Sequence, residues 1–252
     1  MFSRHLRLFL STAALLLASW SAQAAQATVA VAANFAEPLR ALAAVLEKTT
    51  GHRLEIVVGA TGRLYAQIAN GAPFDLFLAA NQATVAKAES EGLTAPGSRF
   101  LYATGQLVLW SARPDLVDKQ GQVLRQDGWR RLAVANPRTA PYGAAAMQTL
   151  AQLGLTQALA PRLVQGESIA QTYNFAHTGN AELAFVALSQ VLESGRLRGG
   201  SMWVVPAKYH EPIRQDAVLL KRGAGNEAAR ALMALMQSPA GKDLIRSFGY
   251  TF

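Results

Sequence analysis

The sequence lacks cysteine, is poor in charged residues and has no long apolar run beyond its N-terminal segment. The absence of cysteine excludes disulfides, thiolate metal ligands and thiol nucleophiles. No later apolar run approaches the roughly 20 residues that a membrane-spanning helix needs. Charged residues make up 16% of the 252 residues and hydrophobic ones 51%. This composition is typical of a globular protein that is held together by packing.

Basic residues outnumber acidic ones, 24 to 16, which gives a formal net charge of +8. They occur singly or as short pairs such as Arg130 with Arg131 and Lys221 with Arg222, and aromatic residues are not interleaved with them. Nucleic-acid-binding surfaces are usually built from clustered basic residues. The pattern therefore indicates a solvated basic surface that attracts anions, and no nucleic-acid partner is predicted.

The common catalytic signatures are also missing. There is no G-x-S-x-G motif, and "GATGRL" lacks the Lys and Ser/Thr of a phosphate-binding P-loop. His52, His177 and His210 do not have the spacing of metal ligands. A secreted hydrolase that pairs Ser168 with His177 stays open as an alternative, although a surface histidine is the favoured interpretation. The prediction is a protein that is not an enzyme and carries no cofactor.

The N-terminus has the pattern of an export signal. Arg4 and Arg7 precede the apolar run "LFLSTAALLLAS", and "SAQA" then places Ala22 and Ala24 in A-x-A spacing. We predict a signal peptide at residues 1–24 that is cleaved near Ala24. Because no cysteine is available for a lipid anchor, the mature protein is expected in the periplasm.

Short β-branched runs alternate with longer helical patterns along the rest of the chain, which predicts βαβ units in an α/β fold. Leu39, Leu42 and Leu46 share one helical face before Gly51. Further helices are expected from Thr61, from about Thr84 to Glu91, and from about Ile169 to His177. The units form two sets, which predicts two lobes and a hinge: residues 25–104, residues 105–204, and a returning segment 205–252.

Small, hydroxyl or amide residues stand where strands give way to helices. The segments are "AANFAEP" (32–38), "GATGR" (59–63), "NPRTAPYGA" (136–144) and "GESIAQ" (166–171). Helix N-termini carry unpaired N–H groups and partial positive charge, and in open α/β sheets they converge at the ligand site. We predict an anion site in which Asn34 and Thr61 supply side-chain donors, and Tyr142 and Ile169 supply backbone N–H groups.

The simpler interpretation is helix capping, and "NFAE" at 34–37 has the pattern of a capping box. If the loops do bind an anion, a site lined only by donors suits a fully ionised oxyanion, whereas phosphate keeps a proton and needs an acceptor. Glu37 and Glu167 lie near these loops and are the candidate acceptors. Sulfate and phosphate stay open as ligands at this point.

The mature sequence resembles the periplasmic molybdate-binding proteins of ABC uptake systems. The resemblance rests on "VAVAANF", "YAQIANGAPFDLFLAANQ", "LAVANPRTAPYGAAAMQTLAQLGL" and "LAFVALSQ". It implies a two-lobed type II periplasmic binding fold, with mixed, mostly parallel sheets, helices on both sheet faces and a ligand cleft between the lobes. It also implies a monomer that captures molybdate or tungstate and delivers it to an ABC permease in the inner membrane.

The resemblance carries the family's ligand-contacting positions onto Ala33, Asn34, Thr61, Tyr142 and Ile169. These residues would contact the oxygens of the oxyanion and would not ligate the metal directly. Many members have Ser at the position of Asn34, two serines at Ala60 and Thr61, and a ligand-binding Tyr at the position of Ala187. A minority branch has Asn in the first loop and Tyr in the Pro-Tyr-Gly loop, as in this chain. Because Ala187 stands where many members have a ligand-binding Tyr, the anion preference stays open.

Overall fold

The computed structural model describes residues 24–193 and 195–252. The predicted signal peptide lies outside the described residues except for Ala24. In the described part of the chain, no helix combines the length and the apolar character needed to cross a bilayer.

Twelve strands and nine α-helices are seen in this part. The strands are β1 (Gln26–Ala32), β2 (Arg53–Gly59), β3 (Leu76–Leu78), β4 (Phe100–Gly105), β5 (Leu107–Ser111), β6 (Leu132–Ala135), β7 (Leu163–Gly166), β8 (Leu183–Ala187), β9 (Leu192–Glu193), β10 (Arg196–Leu197), β11 (Ser201–Val204) and β12 (Ile213–Leu219). The helices are α1 (Ala36–Thr50), α2 (Thr61–Ala69), α3 (Gln82–Ser90), α4 (Pro141–Gln152), α5 (Thr156–Leu159), α6 (Ile169–His177), α7 (Leu188–Val191), α8 (Glu227–Gln237) and α9 (Pro239–Ser247).

Two five-stranded sheets define two lobes. The first sheet has the order β2-β1-β3-β12-β4, and the second has the order β11-β5-β8-β6-β7. In the first lobe α1, α2, α3 and α8 pack on the sheet, and in the second lobe α4, α6 and α7 do so. Apolar cores lie on both faces of each sheet. The two-lobed fold and its mixed sheets are confirmed.

Each sheet contains one strand that runs against the others. In the first sheet β1 pairs in parallel with β2 and β3, but β12 pairs antiparallel with β3 and β4. The second sheet repeats this arrangement, with β5 antiparallel to β8 and β11. The antiparallel pairs all involve β4, β5, β11 or β12, the strands that lead the chain from one lobe to the other. In each sheet a single strand, β12 in the first and β5 in the second, runs against the other four, so the expectation of mixed, mostly parallel sheets is confirmed.

The chain passes between the sheets twice. Gln106 alone separates β4 from β5, and residues 205–212 separate β11 from β12. The C-terminal helices α8 and α9 pack against α1 of the first lobe. The exact lobe boundaries stay a prediction.

Several local predictions match the structure. Leu39, Leu42 and Leu46 are buried on α1, and Gly51 ends that helix with a φ of 76°, a left-handed conformation that favours glycine. Helix α2 begins at Thr61, and α6 spans Ile169–His177 as expected. Helix α3 begins two residues before Thr84, because the Asn81 side chain accepts a hydrogen bond from the Thr84 N–H and caps the helix.

Candidate functional site

The four strand-to-helix loops enclose one small cavity between the lobes. The first lobe contributes Ala32, Ala33, Asn34, Gly59, Ala60, Thr61 and Ala80, and the second lobe contributes Ala140, Pro141, Tyr142 and Ile169. The cavity is small: the volume open to a water molecule is about 10 Å³, which is room for one small group. All five residues predicted to contact the ligand lie on its lining.

Unpaired backbone donors lie at three helix starts around the cavity. Thr61 is the first residue of α2, Ile169 is the first of α6, and Tyr142 follows the leading proline of α4. Among the described residues, the N–H groups of these three have no hydrogen-bond acceptor. The positive ends of three helix dipoles therefore meet where an anion would gain most from them.

The Thr61 side chain is prepared to donate. It is 1% exposed, and its Oγ1 accepts a hydrogen bond from the Ala80 N–H at 2.9 Å. Within the described part of the chain its own hydroxyl proton has no acceptor, so it is free for a ligand in the cavity.

The Asn34 side chain is hydrogen-bonded within the protein and does not cap a helix. Helix α1 begins at Ala36 without a side-chain cap, so the capping-box interpretation is wrong: Asn34 lies in a 3-10 turn that precedes the helix. Asn34 Nδ2 donates to Gln215 Oε1 at 2.7 Å and to the Tyr250 hydroxyl at 3.0 Å. Both side-chain hydrogens are thereby used within the protein rather than in the cavity.

A buried polar network holds this side of the site, and sequence reasoning missed most of it. Gln215 is fully buried; its Oε1 accepts from the Tyr102 hydroxyl at 3.0 Å, and its Nε2 lies 3.4 Å from the Tyr142 hydroxyl. The Tyr250 hydroxyl bonds to the Asn34 carbonyl oxygen at 2.8 Å. Gln215 and Tyr102 lie within strands, and their sequence neighbours do not reveal partners that are 113 and 181 positions away.

The three tyrosines of this network are neutral. Burial raises the pKa of Tyr102 and of Tyr142 well above the usual value for tyrosine. Burial also raises the pKa of Tyr250 to about 12, against hydrogen bonds that lower it. The network therefore brings no negative charge to the cavity at neutral pH.

Neither candidate carboxylate lines the cavity. Glu37 pairs with Arg40, Glu167 pairs with Arg63, and both carboxylates are about half exposed or more. In the described residues the cavity lining contains no acidic and no basic side chain. The expectation that Glu37 or Glu167 could receive a proton from a ligand is not supported by their positions.

The alternative Ser168–His177 pair is not brought together. Ser168 caps the start of α6, where its Oγ accepts from the Gln171 N–H at 3.3 Å, and His177 lies at the other end of the helix, stacked on Tyr173. Across the described residues, no group of three or more His, Asp and Glu side chains could hold a metal ion.

The lobes contact each other around the cavity. The Gly62 N–H donates to the Thr139 carbonyl oxygen at 2.9 Å, and Ser189 Oγ donates to the Asn34 carbonyl oxygen at 2.8 Å. The Arg63–Glu167 ion pair also joins the two lobes. The donors thus come from both lobes, which are in contact around the cavity.

Comparisons with known proteins agree with this architecture. Residues 27–251 match the family of bacterial extracellular solute-binding proteins. The chain is 55% identical over 230 residues to the molybdate-binding protein ModA of Azotobacter vinelandii, with 91% of each chain covered. It is 47% identical over 229 residues to the molybdate-binding protein ModA of Rhodobacter capsulatus, covering 91% of this chain and 89% of that one.

Solved structures give the same result. The periplasmic molybdate-binding protein of Azotobacter vinelandii superposes with a TM-score of 0.88 at 43% identity, covering 90% of this chain and 99% of that one. The sulfate-binding protein SubI of Mycobacterium tuberculosis superposes with a TM-score of 0.70 at 14% identity, covering 90% of this chain and 86% of that one. The second match shows a shared fold only.

Proposed function

Because this chain belongs to the molybdate-binding proteins within the family of bacterial extracellular solute-binding proteins, we propose that it captures molybdate between its lobes and delivers it to an ABC-type importer. We further propose that it works in the periplasm as a monomer and also accepts tungstate. The resemblance read from the sequence and the relatives' names support this proposal.

The observation that carries the proposal is the chemistry of the cavity lining. Three unpaired backbone N–H groups and one hydroxyl converge there, and among the described residues no carboxylate lines the cavity. A tetrahedral dianion without a proton offers only acceptors, so a set of donors complements it. Four hydrogen bonds to a charged acceptor, at about 1.5 to 3 kcal/mol each, contribute about 6 to 12 kcal/mol before association costs.

We propose that Ala33, Asn34, Thr61, Tyr142 and Ile169 contact the oxygens of the bound anion. Thr61 donates through its hydroxyl and its N–H, and Tyr142 and Ile169 donate through their N–H groups. The side chain of Ile169 then serves only to pack, and that of Tyr142 serves in the buried network. Ala187 is fully buried in β8 and does not belong to the cavity lining, so its lack of a hydroxyl removes no donor from this set.

Competitive calorimetry with molybdate, tungstate, sulfate and phosphate tests the proposal. We expect molybdate and tungstate to bind one per chain with similar affinity. Phosphate should bind at least about 100-fold more weakly, since its proton would face donors only. Sulfate, which is also a dianion, should be discriminated by size. Phosphate binding as tight as molybdate binding would contradict the proposed site, and turnover of a substrate would contradict a purely binding role.

A further inference from the structure

Gln215 lies beneath the anion cavity without lining it. It is a fully buried residue of β12, the strand that returns from the second lobe, and it stands at a bulge in the pairing of β12 with β4. Its amide contacts Asn34 of the first lobe and Tyr142 of the second. One side chain therefore contacts a cavity residue from each lobe.

The amide of Asn34 is oriented awkwardly for an anion. Asn34 lines the cavity, whereas Gln215 and Tyr250, the acceptors of its two N–H hydrogens, do not. With both Nδ2 hydrogens used there, the only amide atom left for a ligand is Oδ1, an acceptor, and within the described residues nothing donates to it. An acceptor oxygen beside an oxyanion would be repelled by it.

A half-turn of both amides removes this conflict and keeps the hydrogen bonds that the two amides make, while the Tyr250 hydroxyl gives up its bond to the Asn34 carbonyl oxygen. After the turn, Gln215 Nε2 donates to Asn34 Oδ1 and to the Tyr102 hydroxyl. Before the turn, Gln215 Oε1 accepts from these two residues. Gln215 Oε1 accepts from the Tyr142 hydroxyl. The Tyr102 hydroxyl is already within 3.1 Å of the Ala79 carbonyl oxygen and donates to it.

The remaining hydroxyls accommodate the same half-turn. The Tyr250 hydroxyl donates to Asn34 Oδ1, and Ser189 Oγ donates to the Asn34 carbonyl oxygen. Each amide presents a donor and an acceptor on sides of nearly equal shape, so the two orientations occupy the same space. In the second orientation Asn34 Nδ2 takes the present place of Oδ1 and is free to donate to a ligand.

We propose that Gln215 is a positioning residue that allows Asn34 to present its Nδ2 to the bound oxyanion, the two amides turning together when the ligand binds. This inference rests on the proposed function, since it supposes an anion in the cavity. Glutamine is suited to the position because it can either accept from Asn34 or donate to it. A carboxylate can only accept, and would hold Asn34 Nδ2 away from the ligand.

Side-chain amide NMR on the full mature chain tests the turn directly. The Asn34 NH₂ resonances are assigned with the Asn34→Ala variant, and NOEs are recorded without and with saturating molybdate. We expect NOEs from the Asn34 NH₂ to the Tyr250 ring in the free protein, replaced by NOEs to the Thr61 or Tyr142 amide hydrogens in the complex. Persistence of the Tyr250 NOEs in the molybdate complex would overturn the inference.

Two variants add an independent test. Gln215→Glu keeps the size of the side chain but replaces the amide with a carboxylate, which can only accept. Gln215→Met keeps the size and removes the amide, so that Tyr250 alone bonds to the Asn34 side chain. At pH 8 we expect Gln215→Glu to bind molybdate about 10- to 100-fold more weakly than Gln215→Met, with the Asn34–Tyr250 NOEs retained under saturating ligand. Gln215→Met as the weaker binder would contradict the inference and indicate a structural role.

The measurements separate this inference from the proposed function. Thermal unfolding of each ligand-free variant shows whether the substitution lowers stability independently of binding. The wild-type chain is titrated with molybdate before the variants. Failure of the wild type to bind refutes the proposed function. Tight wild-type binding with an unturned Asn34 amide refutes only the role of Gln215.

Discussion

At the scale of single residues, the Thr61 hydroxyl does two things at once. It accepts from the Ala80 N–H and keeps its own proton for the ligand. Thr61→Val removes both interactions with little change of shape. We expect molybdate affinity to fall about 10- to 100-fold, measured by calorimetry, because one charge-assisted hydrogen bond is lost. Thr61→Ser keeps the hydroxyl and should bind within a few-fold of wild type.

Thr156 offers a matched control for this substitution. Its Oγ1 is buried without a partner in the described part of the chain, and Thr156 is not part of the cavity lining. Thr156→Val should leave molybdate affinity unchanged and should not lower the free energy of unfolding. Equal affinities for Thr61→Val and wild type would show that the donor site has been misplaced.

Tyr250 makes stability sensitive to alkaline pH. A tyrosine of the unfolded chain ionises near pH 10, whereas burial raises the pKa of Tyr250 to about 12 in the folded protein. Since the folded state holds the proton more tightly, this stabilisation is complete below about pH 10 and is lost as the pH rises toward 12. It amounts to something on the order of 3 kcal/mol.

We therefore expect the free energy of unfolding to decline above about pH 10, measured by urea denaturation at each pH. Tyr102 and Tyr142, whose pKa values are also raised, act in the same direction. Tyr250→Phe should make the decline shallower, and Tyr209→Phe, outside the network, should not. The comparison concerns the slope with pH, because Tyr250→Phe also loses hydrogen bonds at neutral pH. Parallel slopes would refute the role of Tyr250.

At the scale of elements, the end of β4 lies directly against Tyr142 of the second lobe. A Cβ at Gly105 would lie 1.9 Å from the Tyr142 hydroxyl oxygen and 2.6 Å from Gln215 Nε2. Gly105→Ala should therefore push α4 away from β12 and hold the cleft partly open. We expect weaker molybdate binding with both lobes folded, measured by calorimetry together with circular dichroism.

Gly225→Ala is the control for this change, because no atom lies within 4 Å of a Cβ at that position and the backbone is not in the left-handed region. It should bind molybdate like the wild type. If Gly105→Ala also binds like the wild type, the contact between Tyr142 and β4 does not limit closure.

At the scale of the whole molecule, ligand binding and lobe closure are expected to be linked, since the donors come from both lobes. The Arg63–Glu167 pair joins the lobes, but both side chains are about half exposed, so its contribution is small. Arg63→Gln should weaken molybdate binding by at most about 5-fold and reduce its salt dependence. Arg53→Gln breaks an exposed pair with Glu47 inside the first lobe and should not affect binding.

Solution scattering measures the closure itself. We expect the radius of gyration to fall when molybdate is added to the wild type and to Arg63→Gln. Scattering curves that coincide with and without ligand would mean that the lobes do not close on it. If Arg53→Gln weakens molybdate binding more than Arg63→Gln does, the Arg63–Glu167 pair does not contribute to closure.

Local features of this protein could be predicted from the sequence because their causes are local. Small and capping residues within a few positions predict helix starts at Thr61 and Ile169, and the backbone freedom of Gly51 predicts a helix end there. The alternation of strands and helices indicated an α/β protein, and the same loops indicated an anion site. Backbone donors at helix starts need no tertiary partner, so local sequence was enough to predict them.

Only the tertiary structure decided the properties that depend on distant partners. The Asn34 side chain follows the pattern of a helix cap, yet it bonds to Gln215 and Tyr250, which are 181 and 216 residues away. The one reversed strand of each sheet, β12 in the first and β5 in the second, is the strand that follows a crossing between the lobes, which no local pattern records. A hydrogen-bonding group takes whichever partner the fold brings within about 3 Å, and that partner is set by the packing of the whole chain.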